Sequence, residues 1–290
     1  MTSCTVGDTR RNQPEEPLIH EYGDPGHTGK QDMAFHIIVC IKSVITRAPA
    51  NGTLRSVDTA VLNPFDRIAL ERALTLSAER KGTVTALSMG PESCSFALFE
   101  AIAMGAHRGI LLSDPRCADS DTLATSTALA GAIRKLAPYD LILFGTRTSD
   151  SDTGQVGPQT AVSLEIPLVT GVTSLEWKKK VLRVERRIDE FREIFELSPP
   201  AAFTIHPAAV KPRDIPLGGI EDAFTCEEVG LLTLDDLSLD PAKVGTTGSP
   251  TRVVSMKKVS RERKCEFIEG TVEDQADVVV TRLKESGLLG

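Results

Sequence analysis

The sequence has few aromatic side chains, and its cysteines and histidines are scattered. Aromatic residues make up 4% of the 290 positions, with one Trp and two Tyr, so this chain alone offers little to sandwich a flat cofactor. The six cysteines form no CxxC pair and no Cys/His cluster at metal-ligand spacing. The five histidines are isolated, so no catalytic triad can be nominated. We therefore expect reduced thiols in a cytoplasmic protein, with no metal site and no catalytic residues.

Long hydrophobic runs and broad positive charge are also missing. No stretch approaches about 18 consecutive apolar residues, and the first 32 positions lack the apolar core of a secretory signal. The formal net charge is −7, and the basic residues are scattered apart from 178–180 and 261–264. These features argue against membrane insertion and against nucleic acid as a partner.

The pattern divides the chain into three parts. Residues 1–32 combine prolines and charges with almost no paired apolar positions, which predicts a flexible extension. Residues 33–225 predict a nucleotide-binding α/β domain, and residues 226–290 predict a C-terminal arm that docks on a partner subunit. The arm ends in a predicted helix with one apolar stripe, formed by Val272, Ala276, Val279, Val280 and Leu283.

Short β-branched runs alternate with amphipathic helical windows from residue 35 onward, as in successive βα units. The predicted strands are HIIVCI, TVTALSM, GILLSD and YDLILFG, and the predicted helices span 65–79, 93–104 and 122–136. In the first helix one buried face is expected from Ala69, Leu70, Ala73, Leu74 and Ser77. The fold class is therefore α/β: a mostly parallel, doubly wound, Rossmann-like sheet with an antiparallel addition after about residue 166.

The segment 145–160, GTRTSDSDTGQVGPQT, is the best candidate for a ligand site. It follows the fourth predicted strand, where open parallel sheets bind ligands. Thr153 can cap a helix beginning near Gly154, whose free N–H groups and dipole favour a phosphate. Gly154 and Gly157 would permit close approach of the ligand to the backbone.

Two carboxylates complicate this interpretation, because Asp150 and Asp152 would repel a phosphate that they faced. We therefore assign them to ribose hydroxyls or to capping of the loop, and the N–H groups with Thr153 and Gln155 to the phosphates. From the residues alone, two interpretations of the segment remain: a nucleotide site and a capped structural turn. An ordinary GxGxxG dinucleotide fingerprint is absent after the first strand.

Several ordered motifs resemble the beta subunit of an electron-transfer flavoprotein, and especially its FAD-containing, electron-bifurcating branch. They are VCIKSV, LNPFDRIALERAL, VTALSMGP, AIAMGAHRGILLSD, DSDTGQVGPQTA, PLVTGVTSLEW, PPAAFTIH and KPR. The resemblance runs from about residue 35 to the C-terminus. It implies a heterodimer with an alpha subunit that holds a transfer FAD, while the beta subunit binds AMP or a second FAD.

The resemblance also implies which residues contact the nucleotide. Carried over onto this sequence, the contacts are Cys40, Asn63, Pro64, Phe65, Asp66, Met89, Thr148, Asp150, Asp152, Thr153, Gly154, Gln155, Val156, Gly157 and Pro158. The DTGQVGPQ loop and the GSPT sequence at 248–251 are typical of the FAD-binding branch, so FAD is favoured over AMP. NADH would then be an electron donor, and the chain would act as an electron carrier that needs a partner to complete its site.

Two departures from the family pattern concern function. Bifurcating-type members usually have an Arg-Gln pair where this chain has Thr146 and Arg147. Between 204 and 213, IHPAAVKP replaces the segment that recognises an acyl-CoA dehydrogenase, so that flavoenzyme partner could differ or be recognised elsewhere. The alternatives are an AMP-binding subunit that only braces the alpha subunit and a stand-alone adenine-nucleotide-binding stress-type protein.

Overall fold

The computed structural model describes most of the chain, which forms two units. The described residues are 18–21, 35–45, 60–178, 181–225, 229–255 and 265–289. The first unit is Met1–Arg252, and the second, which we call the C-terminal unit, is Val253–Gly290.

One large sheet forms the centre of the first unit. The strands are β1 (Leu18–Glu21), β2 (His36–Cys40), β3 (Ser43–Ile45), β4 (Ala60–Leu62), β5 (Thr83–Met89), β6 (Arg108–Leu112), β7 (Leu141–Gly145), β8 (Leu168–Lys178), β9 (Val181–Ile188), β10 (Phe191–Leu197), β11 (Ala201–Ile205) and β12 (Val229–Leu232). Ten of them form a sheet in the spatial order β1, β10, β9, β8, β11, β7, β2, β5, β6, β12. The other two, β3 and β4, pair as a separate antiparallel hairpin.

Helices cover both faces of the sheet. They are α1 (Pro64–Arg80), α2 (Ser95–Ala103), α3 (Thr122–Lys135), α4 (Val156–Leu164), α5 (Leu217–Thr225) and α6 (Gly245–Gly248), with α7 (Val272–Glu285) in the C-terminal unit. Along β2 the side chains alternate: Ile37 joins an apolar cluster with residues of α1 and α2, and Ile38 joins one with residues of α3 and α4. This two-sided burial explains why the central strands are apolar almost throughout.

The predicted fold class is confirmed. Strands β2, β5, β6 and β7 are parallel neighbours, and the antiparallel addition is formed by β8, β9 and β10. The residues predicted to form the inner face of α1 are all buried, namely Ala69, Leu70, Ala73, Leu74 and Ser77. Pro64 stands at the first position of α1, where its fixed φ suits a helix start.

Two short strands extend the sheet beyond what the sequence predicts. Within the stretch 1–32, Leu18–Glu21 pairs in parallel with β10, while the rest of that predicted flexible extension lies outside the described residues. Val229–Leu232 pairs in parallel with β6, so 229–252 belongs to the first unit, whereas the arm was expected to begin at 226. Four-residue strands carry too little periodicity to be recognised without their pairing partner.

Two further observations concern the thiols and the helices. Cys40, Cys117 and Cys265 have free thiols, and Cys4 and Cys226 lie outside the described residues. Among the described helices, none has the length and apolar content needed to cross a bilayer.

Candidate nucleotide site

The central strands include a point at which the crossover direction reverses. From β2 the chain moves outward through β5 to β6, then returns through α3 to β7 on the other side of β2. The carboxyl ends of β2 and β7 therefore lie side by side at this reversal point, the position at which open α/β sheets bind ligands. The segment 145–160 begins at this edge, at the last residue of β7.

Asn63, at the start of α1, uses its side chain to hold this segment. The residue is fully buried, and its amide Nδ2 donates to the carbonyl of Arg147 at 2.9 Å. Its Oδ1 accepts the backbone N–H of Ser149 at 3.3 Å. Asn63 occupies the N-cap position but makes no side-chain capping bond to the backbone of its own helix. It therefore fixes the loop after β7 relative to α1.

Asp66 joins the ends of the two central strands. Its buried carboxylate accepts the backbone N–H of Lys42, just beyond β2, at 2.8 Å and that of Gly145, the last residue of β7, at 3.2 Å. Burial raises the pKa of Asp66 to about 7, although these bonds and that of Asn63 oppose the rise. At Gly145 a Cβ would lie 2.4 Å from the carboxylate, so only glycine permits this approach.

Lys42 neutralises the first of the two loop carboxylates, Asp150. Its Nζ lies 2.7 and 2.9 Å from the two oxygens of Asp150. Burial opposes the charge on Asp150, but the bond and charge of Lys42 outweigh burial and lower its pKa. Asp150 therefore has its counter-ion within the protein. Lys42 is absent from the residues predicted from the sequence; its position directly after a buried strand was the available signal.

The second carboxylate, Asp152, lies on the outside of the turn. Its Oδ1 is 3.4 Å from Nε of Arg147, and both side chains are exposed. The guanidinium of Arg147 lies 4.8 Å from the ring centroid of Phe65, so the start of α1 and the loop also meet through a cation–π contact. Asp152 and Gly154 both have left-handed backbones, with φ of 53° and 62°, which turn the chain into α4.

Helix α4 begins later than predicted, and the predicted cap is wrong. Gln155, not Thr153, stands at the N-cap position, and it makes no capping bond through its side chain. Helix geometry leaves the first N–H groups without intrahelical partners, here those of Val156 and Gly157, and Pro158 has none to offer. At Gly157 a Cβ would lie 3.1 Å from the Phe144 side chain, so glycine lets this helix start close to the strand ends.

The remaining predicted contacts lie at strand ends. Cys40 ends β2 and Met89 ends β5, and both pack in the apolar cluster shared with α3 and α4. Burial, and secondly the charge of Asp66, raise the pKa of the Cys40 thiol, so it is neutral and not a nucleophile. In the loop, the hydroxyls of Thr148 and Ser151 lie 2.8 Å apart. The predicted residues thus form three groups at one edge of the parallel sheet. They are the strand ends at Cys40 and Met89, the start of α1 from Asn63 to Asp66, and the loop from Thr148 to Pro158.

These features fit an adenine nucleotide. The start of α4 offers N–H donors, glycine and a positive dipole end for a phosphate. Asp150, which could have repelled the phosphate, is paired with Lys42. The neutral sulfur-bearing side chains Cys40 and Met89 suit the face of a purine ring.

Comparisons with known proteins identify the family of the chain. Residues 52–227 match the family model described as Electron transfer flavoprotein domain. The chain is 39% identical over 254 residues to the Electron transfer flavoprotein subunit beta of Thermoanaerobacterium thermosaccharolyticum, covering 86% of this chain and 97% of that relative.

Two relatives with other names are also similar over most of their length. Identity to the Caffeyl-CoA reductase-Etf complex subunit CarD of Acetobacterium woodii is 36% over 261 residues, covering 87% of this chain and 99% of the relative. Identity to Protein FixA of Azotobacter vinelandii is 35% over 264 residues, covering 86% and 93%. The resemblance drawn from the sequence motifs is therefore confirmed, and the chain belongs to the electron transfer flavoprotein beta-subunit family.

Proposed function

We propose that this chain is the nucleotide-binding beta subunit of a heterodimeric electron carrier and that its nucleotide is FAD. The observation that carries the proposal is the uncapped, glycine-containing start of α4 at the reversal point of the sheet. Backbone N–H groups of Val156 and Gly157, with Thr153 and Gln155, would hold the phosphates. The start of α1, from Asn63 to Asp66, would border the ribose, and Cys40 and Met89 the adenine.

The GSPT segment, 248–251, favours FAD over the shorter AMP. Ser249 and Thr251 are hydrogen-bonded to Asp121, and the next residue, Thr122, donates to Oε1 of Gln155 at 3.1 Å. The GSPT segment and the 145–160 segment therefore contact adjacent residues of one helix start. A dinucleotide whose phosphates lie at α4 could extend toward that start, whereas AMP would end at its single phosphate.

In this proposal the chain's own residues bind and orient a cofactor, and none of them is assigned a role in proton transfer. Bound FAD would supply the redox chemistry, with NADH as the donor of a hydride and two acceptors for the electrons. Asn63, Asp66 and Lys42 would keep the loop in one conformation, so that the cofactor is held at a fixed position. Arg147, in contact with Phe65 and Asp152, adds a positive charge at the mouth of the site.

The C-terminal unit would bind the alpha subunit. Helix α7 has no buried residue, although it carries an apolar stripe. Among the described residues of this unit, the large exposed apolar side chains are Val253, Val254, Phe267, Val272, Val278, Val279, Val280, Leu288 and Leu289. A helix with this pattern needs a partner surface to cover it. The beta-subunit family supports the alpha subunit as that partner, and the same family argues against a stand-alone stress-type protein.

A flavoenzyme of the acyl-CoA dehydrogenase type is the proposed redox partner, and the name of the caffeyl-CoA reductase complex relative supports it. Recognition would not rely on Arg213, because its guanidinium is paired with Glu71 at 2.7 and 2.9 Å. The following helix α5 exposes Leu217 and Phe224, which are 86% and 87% accessible. These two side chains are the better candidates for contact with the partner.

The proposal is tested by counting nucleotides in the purified heterodimer with its alpha subunit. Flavin absorbance and chromatography of the released nucleotides should give about two FAD per heterodimer. One FAD with one AMP would reject the FAD assignment and leave the AMP-binding alternative. A stable homodimer without flavin would reject the heterodimeric carrier as well. Reduction of the two-FAD protein by NADH should follow, and its failure would remove NADH as the donor.

A further inference from the structure

The last residues of the first unit return to the start of α3. Gly245 donates its N–H to Oγ of Ser120 at 3.0 Å. Ser249 receives the N–H of Asp121 at 2.8 Å and donates its own hydroxyl to the carbonyl of Gly245 at 2.6 Å. Ser249 is buried, so this is a packed contact. Residues 245–251 are thus tied to a short stretch of chain more than a hundred positions earlier.

Asp121 completes this contact, because each of its two carboxylate oxygens accepts hydrogen bonds from a different segment. Oδ1 accepts the N–H groups of Leu123 and Ala124 at 2.9 and 3.0 Å, which caps α3. Oδ2 accepts both the N–H and the hydroxyl of Thr251, at 3.0 and 2.8 Å. Burial opposes the charge of Asp121, but these four hydrogen bonds lower its pKa, so the carboxylate is ionised. A helix cap alone would need only one of the two oxygens.

Thr251 is the last residue of the chain that this contact holds. Arg252 ends the first unit, and the two residues that follow, Val253 and Val254, are 79% and 96% accessible. On the other side of Asp121, Thr122 donates to Gln155 at the start of α4. Two adjacent residues of one helix start therefore contact the proposed nucleotide site and the chain leading into the C-terminal unit.

We infer that Asp121 is a positioning residue that couples nucleotide binding at the 145–160 segment to binding of the partner subunit by the C-terminal unit. This inference rests on the proposed function. A nucleotide that orders Gln155 also orders Thr122, and Asp121 transmits that order to Thr251, where the C-terminal unit is about to begin. Because binding free energies are reciprocal, each ligand should then strengthen the other.

The experiment measures the affinity of the full-length chain for its alpha subunit, with no nucleotide and with saturating FAD or AMP. For the unaltered chain we expect nucleotide to tighten subunit binding by about 5-fold or more. Thr251→Val removes the hydroxyl that donates a hydrogen bond to Asp121, and it leaves the cap of α3 intact. Asp121→Asn keeps one oxygen for the cap but turns an NH₂ group toward the donors of Thr251. In both variants the ratio of subunit affinity with nucleotide to subunit affinity without nucleotide should fall toward one.

Thr233→Val is the matched control, because the Thr233 hydroxyl also lies 2.8 Å from an aspartate oxygen, that of Asp236, away from the start of α3. It should keep the full enhancement. A general loss of stability would weaken subunit binding both with and without nucleotide. A loss of coupling would change only the ratio of the subunit affinity with nucleotide to the affinity without it. If both Asp121→Asn and Thr251→Val keep the original ratio, or the unaltered chain shows none, the inference is wrong. If the unaltered heterodimer binds neither FAD nor AMP, the proposed function fails first.

Discussion

The starts of α3 and α4 differ in how they treat their free N–H groups, although the two helices pack side by side on one face of the sheet. At α3, Asp121 has an extended backbone and accepts the N–H groups of Leu123 and Ala124. At α4, Gln155 has a helical backbone and caps nothing through its side chain. The protein thus satisfies one helix start internally and leaves the other able to bind an anion.

The start of α1 is a third case, because Asn63 makes no side-chain capping bond and the acidic residue of the first turn is buried. Its buried Asp66 accepts the N–H groups of Lys42 and Gly145, so this carboxylate holds two strand ends together. An acidic residue near a helix start therefore does not by itself mark a site. What separates α3 from α4 is whether a side chain accepts the first N–H groups of the helix.

The largest effect is expected from Asp66, whose carboxylate should couple stability to pH. Its folded pKa of about 7 exceeds the unfolded value of about 4, so the folded state binds the proton more tightly. Stability from this group is therefore full below about pH 4 and is lost as pH rises toward about 7, by up to roughly 4 kcal/mol.

Asp66→Asn cannot ionise and should remove this part of the pH dependence. The measurement is the free energy of unfolding in urea at several pH values between about 4 and 8. Asp152→Asn is the control, because it makes the same chemical change at an exposed carboxylate of the neighbouring loop. Parallel profiles for the unaltered chain and Asp66→Asn would show that Asp66 is ionised in the fold throughout this range.

A smaller but more specific effect is expected at the start of α4, which we call the open start because no side chain caps its N–H groups. Gly154→Val strains a left-handed turn and brings a Cβ to 3.0 Å from the carbonyl of Thr146. We expect nucleotide affinity to fall about 100-fold, or roughly 2.7 kcal/mol. Gly171→Val is the matched control, since Gly171 has a similar φ of 68° with no atom within 4 Å. An equal loss of nucleotide affinity in the two variants would mean that backbone strain causes the loss, and not a change at the nucleotide site.

The sequence predicts the open start better than it predicts the contacts around it. The parallel strands, α1 and the 145–160 segment all follow from local periodicity and from glycine placement. The pairs Lys42–Asp150 and Asp121–Thr251 do not, because their members are 108 and 130 positions apart and meet only when the sheet forms. Thr153 was predicted as the cap because Thr is favoured there, but the left-handed turn at Asp152 and Gly154 delays the helix to Val156.

The closed start of α3 should matter for stability and the open start of α4 should not. Asp121→Ala removes the cap and leaves Thr251 without its acceptor, so we expect a loss of about 2 kcal/mol in the free energy of unfolding. Gln155→Ala removes no cap and should change stability by less than about 0.5 kcal/mol. Urea unfolding of both variants measures the contrast. Equal losses would mean that the two helix starts do not differ as described.

The smallest expected effect concerns Thr122, the residue through which the two starts touch. Thr122→Val removes one exposed hydrogen bond to Gln155, so nucleotide affinity should fall about 5-fold while stability stays nearly constant. Thr127→Val is the control, because the Thr127 hydroxyl bonds the carbonyl of Leu123 within the same helix. Isothermal titration calorimetry of both variants with FAD and with AMP measures these nucleotide affinities. If Thr122→Val binds both as the unaltered chain does, α4 holds its ligand without help from α3, and the closed start is purely architectural.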